Sequence, residues 1–174
     1  MHTLKFNVGI SEMKVSNDRN AHIATHALGS CIAVILYDPT ARVGGLLHYM
    51  LPSASLNPEK ARVNPFVFAD TGIPLLFSAA YRLGAKKERI RVMITGGARY
   101  LDPNEFFAIG RRNIVAAKNI LHRNDIEIHH SHVGGELSRS VSLSIATGDT
   151  NCRRLPYTNA ASIRPATFPL RGMP

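Results

Sequence analysis

Tryptophan is missing from this chain, cysteine occurs only twice, and aromatic residues make up 7% of it. Without an aromatic stacking platform, and with arginines scattered rather than gathered into a motif, the sequence does not have the features of a nucleic-acid binder. No zinc-finger spacing occurs either. Two thiols, Cys31 and Cys152, are too few for a disulfide framework. The start of the chain lacks a basic-then-apolar leader, and no apolar run approaches the roughly 20 residues that span a bilayer. The expectation is a cytoplasmic protein with free thiols and no membrane insertion. Acidic residues are also scarce: 12 against 21 Lys and Arg, for a formal net charge of +9. That balance favours acidic partners and says nothing about chemistry.

What is present is enough apolar material for one core: 174 residues, 45% hydrophobic. A single domain over 1–174 is expected. From about residue 153 onward the chain carries Arg153, Arg154, Arg164 and Arg171, four prolines and no acid, which predicts a short strand and then a loosely held basic tail. Residues 10–20 read as a leading strand and a loop. The β-branched run 31–37 reads as a buried strand, closed by Asp38-Pro39 and followed by a second strand over 46–51, so the two form a hairpin. Residues 53–65 have two prolines, two asparagines and no period, and predict a flexible loop over a site. Asp70 then caps a helix with Ile73, Leu76, Ala80 and Leu83 as its apolar stripe, Pro74 in its first turn and Gly84 as its stop. A strand over 89–95, a helix over 108–123 with Ile114, Ala117 and Leu121 on one face, strands over 126–131 and 139–146, and a turn at Thr147-Gly148-Asp149-Thr150 complete the pattern. The fold class is α+β: a mixed or antiparallel sheet core with two main helices packed against it.

Cys31 follows Gly29-Ser30 at a loop-to-strand junction, where small neighbours leave room for a substrate carbonyl. A lone cysteine heading an apolar strand is also an ordinary core residue, so two readings stand. His48 sharpens the choice, because an imidazole inside the apolar strand 46–51 needs a partner to offset its desolvation. It is either satisfied by a backbone carbonyl or paired with Cys31 as thiolate and imidazolium. A hydroxyl or amide is usually needed behind such a base, and Thr25, His26 and Ser30 are near in sequence. Of the eight histidines, His130 and His132 alternate onto one strand face beside His129, a pattern that fits a polar strand edge as well as a metal pair. No metal and no cofactor is expected. Gly96-Gly97-Ala98 and Gly134-Gly135 lack the phosphate-loop and dinucleotide spacings and read as tight turns.

The motifs Thr25-His26-Ala27-Leu28-Gly29-Ser30-Cys31, Gly44-Gly45-Leu46-Leu47-His48-Tyr49-Met50-Leu51-Pro52, Thr95-Gly96-Gly97-Ala98, Ile109-Gly110-Arg111-Arg112-Asn113 and Val133-Gly134-Gly135 with Arg139 stand in one order and register over roughly 10–151. In this the chain resembles the CheD family of chemoreceptor glutamine deamidases. The resemblance implies a catalytic set of Cys31, His48 and Thr25; beside it, Ser30 is a candidate substrate-binding donor. Cys31 would attack a receptor glutamine carboxamide, His48 would protonate the departing ammonia, and Thr25 would orient His48. It implies chemoreceptor cytoplasmic domains as substrate and a fold like the catalytic domain of the deamidating cytotoxic necrotizing factors. A CheC-type phosphatase is an implied partner, which leaves a rival role as a binding adaptor with secondary or lost catalysis. Two positions depart from the family pattern: His132 stands where an aspartate commonly precedes Val-Gly-Gly, and Phe68 replaces a tyrosine before Ala69-Asp70.

Overall fold

A computed structural model of the chain describes residues 3–99, 108–155 and 166–169. Ten strands are described, and they form two five-stranded sheets rather than the one sheet expected. The central sheet runs β2 (Glu12–Ser16), β5 (Val43–Tyr49), β4 (Ile32–Asp38), β6 (Arg91–Gly96), β7 (Ile128–Val133). The outer sheet runs β1 (Leu4–Asn7), β3 (Ala21–Leu28), β8 (Ser138–Ser144), β9 (Asp149–Leu155), β10 (Ala166–Pro169). Both mix parallel and antiparallel pairs, the parallel ones being β1 with β3 and β6 with β7.

The expected hairpin is present, with β4 and β5 paired from Asp38↔Val43 to Ile32↔Tyr49. Every residue of both strands is buried, and their alternation divides two cores. Ile32, Val34, Leu36, Leu47 and Tyr49 face the helices, while Ala33, Ile35, Tyr37 and Leu46 face the outer sheet. A strand covered on both sides loses the polar alternation of a half-exposed one, which is why 31–37 reads as one apolar run. In β8 the alternation survives: Arg139, Val141 and Leu143 point inward and the intervening serines are half-buried.

Strand β3 has no counterpart in the sequence pattern, because alanines at 21, 24 and 27 dilute its apolar contrast. The register of β3 against β8 steps from Thr25↔Val141 to Leu28↔Arg139, a one-residue bulge, with Ala27 at φ 54°. The extra residue turns both Thr25 and Leu28 inward, three positions apart, where strict alternation would send one of them out.

Helices α2 (Ala69–Arg82) and α3 (Ile109–Arg123) pack on the free face of the central sheet. Segment 53–65 is helical rather than an irregular loop. It contains 3-10 turns at Ala54–Leu56 and Pro65–Val67 around the short helix α1 (Pro58–Val63), with Ser53, Asn57 and Asn64 as caps and prolines at first-turn positions. Asp70 does not cap α2. Its carboxylate accepts from Ser53 Oγ at 2.7 Å and Ala54 N at 2.9 Å, holding that preceding turn. The helix begins at Ala69, so Pro74 lies inside it, and the buried stripe is Ile73, Leu76, Phe77 and Ala80 with Leu83 outside. The strand β10 pairs antiparallel with β9, from Ala166↔Cys152 to Pro169↔Asp149. Arg164, Arg171 and the remainder of the basic stretch lie outside the described residues.

The loop after β6 braces the head of β4. Gly97 N donates to Cys31 O and Ala98 N to Gly29 O, both at 2.8 Å, and a Cβ on Gly96 would collide with the Cys31 carbonyl. Gly96 also has φ 114°, so Gly96→Ala combines backbone strain with a main-chain clash. Urea denaturation of Gly96→Ala is expected to show a loss of about 2 kcal/mol or more.

Candidate active site

His48 comes from β5 and Thr25 from β3, so the two reach across the space between the sheets. Thr25 Oγ1 lies 2.8 Å from His48 Nδ1, and both residues are 1% exposed. The Thr25 hydroxyl proton goes to Val8 O at 2.7 Å. Oγ1 is therefore left to accept, and Nδ1 carries the imidazole proton. The same step assigns the lone pair to Nε2, which is buried and has no hydrogen-bond partner among the described residues.

Cys31 stands one residue before β4. Continuing the register past Ile32↔Tyr49 sets it opposite Met50, which makes Cys31 and His48 diagonal neighbours on one face of the hairpin. That face is the inter-sheet one, where Cys31 packs at the edge of the outer core, half-buried. Of the three groups near in sequence, Thr25 is the one that meets His48; His26 points outward at the bulge. Ser30 gives its carbonyl to Asn113 Nδ2 at 2.9 Å, and its hydroxyl makes no hydrogen bond among the described residues.

Burial governs the electrostatics. It lowers the His48 pKa to about 4, against a smaller upward pull from Glu12. Burial also raises the Cys31 pKa above the usual thiol value, partly offset by its own backbone N–H facing the sulfur. Both groups rest neutral, as thiol and imidazole, rather than as the ion pair considered from the sequence. Cys152 is a second free thiol, buried, 3.5 Å from Thr95 Oγ1. Among the described residues no group of three His, Cys, Asp or Glu side chains is arranged to hold a metal.

Sequence reasoning left Asn113 without a role. It is fully buried, and its Nδ2 donates to both Ser30 O at 2.9 Å and Met50 O at 2.7 Å. The signal lay in helix spacing: Gly110, Asn113, Ala117 and Leu121 form the buried stripe of α3, and an amide on such a stripe is out of place unless it has partners. Arg139 is likewise buried, and its guanidinium donates to the carbonyls of Gly134 and Leu137 at 2.7 and 3.1 Å, and to Gly96 at 3.4 Å. The turn at Gly96-Gly97-Ala98 therefore braces the loop before Cys31, and the Gly134 turn pairs with Gly96 and Arg139.

A half-exposed thiol, an imidazole with one nitrogen tied back and the other vacant, and a hydroxyl behind it are the equipment of cysteine hydrolases that act on amides. The chain belongs to the CheD family: the family model described as CheD chemotactic sensory transduction matches residues 50–154. A probable chemoreceptor glutamine deamidase CheD 1 of Syntrophus aciditrophicus is 50% identical over 81% of this chain and 88% of its own length. The corresponding protein of Solibacter usitatus is 43% identical over 81% and 83%, and that of Pyrococcus horikoshii 36% over 85% and 91%. A crystal structure of a Neisseria meningitidis protein of the DUF152 family model overlays with TM-score 0.45 and 8% identity, over 76% of this chain and 63% of that one.

The neutral pair has a measurable signature. Alkylation of Cys31 by iodoacetamide, followed by mass mapping, is expected to rise with pH through and beyond the ordinary thiol range; a plateau below neutrality would indicate an ion pair instead. His48 also couples stability to pH. Its folded pKa lies below the unfolded value of 6.5, so in the window from 6.5 down to about 4 the unfolded chain takes up a proton that the folded chain refuses. Stability is expected to fall across that window in urea titrations, and more shallowly in His48→Gln.

Proposed function

We propose that the chain is a protein-glutamine deamidase acting on the cytoplasmic domains of chemoreceptors. The observation that supports this most directly is the vacant, unprotonated Nε2 of a His48 whose other nitrogen is tied to Thr25, on the strand beside Cys31. In this reading Nε2 takes the thiol proton as Sγ bonds to the glutamine carboxamide carbon, and the carbonyl electrons move onto oxygen. The backbone N–H of Cys31 donates to that oxygen, with Ser30 as a further donor to the substrate. His48 then returns the proton to nitrogen, the C–N bond breaks and ammonia leaves a thioester. Water, deprotonated by His48, attacks the thioester; the S–C bond breaks and the thiol recovers its proton. The product is glutamate, and no cofactor or metal enters.

Keeping both groups neutral at rest suits this sequence of steps. The base needs no activation near pH 7, and the imidazolium exists only while it has an amine to protonate. The family also extends the proposal to a CheC-type phosphatase as a second partner, to a cytoplasmic site of action, and to a fold related to the cytotoxic necrotizing factor catalytic domain. Among the described residues no helix is long and apolar enough to cross a membrane.

The decisive experiment mixes the protein with purified receptor cytoplasmic domains and measures ammonia release and a mass gain of about one dalton per glutamine, the difference between an amide and an acid. Cys31→Ala and His48→Ala are expected to abolish conversion, Thr25→Val to lower it and Thr25→Ser to retain most of it. Full conversion by Cys31→Ala would refute the mechanism, and none by the wild type would refute the substrate. A parallel pull-down with a CheC-type phosphatase separates catalysis from adaptor binding, since both alanine variants are expected to bind it unchanged.

A further inference from the structure

The loop that carries the nucleophile has all three of its carbonyls bound. Gly29 O accepts from Ala98 N, Cys31 O from Gly97 N and, between them, Ser30 O from the side chain of Asn113. A trans peptide is planar, with its C=O and N–H on opposite sides. Holding Ser30 O toward Asn113 of α3 therefore turns the Cys31 N–H away from that helix. The thiol and His48 also lie away from it, on the inter-sheet side of the hairpin, and the Cys31 N–H faces its own sulfur. No main-chain carbonyl among the described residues accepts from this N–H.

Asn113 also spans a gap. The β4 to β5 ladder stops at Ile32↔Tyr49, and the next two carbonyls, Ser30 O and Met50 O, are bridged by the two protons of one amide. The helix that carries this amide is fixed in turn. Tyr49 Oη donates to Asn113 O at 2.6 Å, and a Cβ on Gly110 would come within 2.7 Å of Gly97 O, so α3 presses directly on the bracing loop. Asn113 Oδ1 is buried and has no partner among the described residues, a desolvation penalty that an apolar residue would avoid. An apolar residue would also release both carbonyls.

We propose that Asn113 is a positioning residue: by clamping the Ser30–Cys31 peptide plane across the splayed ends of β4 and β5, it aims the Cys31 N–H at the oxygen that becomes negative in the tetrahedral intermediate. This rests on the deamidase reading for its substrate, but its geometry concerns the chain alone. The side chain touches no reacting atom. Its effect is transmitted through one peptide unit, and it acts on the charged oxygen rather than on the thiol.

The test uses the full-length wild type, Asn113→Ala and Asn113→Asp, which fills the same space and offers at most one donor. Three quantities are compared: kcat and KM for receptor deamidation, affinity for a peptide aldehyde, and the rate of Cys31 alkylation by iodoacetamide. The aldehyde adds the thiol across its carbonyl, forming an S–C bond and moving the proton to oxygen, so its capture reads the oxygen-binding site. Alkylation reads only the thiol. Asn113→Ala is expected to lower kcat and aldehyde affinity together by about tenfold or more, with KM near wild type and alkylation slowed by a much smaller factor. Asn113→Asp is expected to fall between, and decides alone if Asn113→Ala does not fold. An alkylation rate that falls as far as kcat would overturn the proposal, as would unchanged aldehyde affinity. Aldehyde capture and alkylation need no receptor, so if the wild type deamidates nothing the substrate assignment fails while the role of Asn113 is still decided.

Discussion

The hydrogen bond from His48 Nδ1 to Thr25 Oγ1 joins the two sheets on the face that Cys31 shares, inside a core that is otherwise mostly apolar. Its direction is fixed by a third group, the Val8 carbonyl that takes the threonine proton. A chain of three partners from three segments thus decides which imidazole nitrogen is left bare. A hydroxyl that instead donated to the histidine would send the lone pair to the wrong side, and no adjustment of Cys31 would compensate. Specificity of tautomer here is a property of the sandwich rather than of any one loop.

The same burial that makes the bond strong discourages charge. Desolvation pushes thiol and imidazole toward their neutral forms, so the pair resembles a general-base couple more than a preformed ion pair. The surrounding braces are neutral as well: backbone amides of Gly97 and Ala98 and the carboxamide of Asn113 hold the Gly29–Cys31 loop, while Arg139, the one buried cation among the described residues, spends its donors on the carbonyls of nearby turns. The +9 net charge of the chain is carried elsewhere.

The middle of the central sheet was legible because β4, β5 and β6 are apolar runs with clear turn residues at Asp38-Pro39. In the outer sheet β8 and the turn at Gly148 were legible, and β3 was not. Strand β3 is half alanine and histidine, and its defining feature is a bulge, which a period-two pattern cannot express. Asp70 looked like a cap since it precedes an apolar stripe, yet capping depends on where a carboxylate lies in space, and this one found the preceding turn. Cys31 and His48 were visible as one of two readings, a pair or two core residues, and composition left the thiol nearer to a core residue; family motifs tipped the balance. Asn113 was visible only as part of a motif, because its partners lie 83 and 63 residues away in the chain.

The bulge before Cys31 has a further consequence for how this stretch of sequence can change. Thr25 and Leu28 are both inward only because one residue is out of phase, and Cys31 follows three further on, at the start of the next strand. The interval works like a vernier: its six steps bring the Thr25 hydroxyl, the Leu28 side chain and the Cys31 thiol all to the inter-sheet side. Substitutions within it leave the count intact, but insertion or deletion of a single residue exchanges inside for outside along the whole interval. Length, more than composition, is what this segment must conserve.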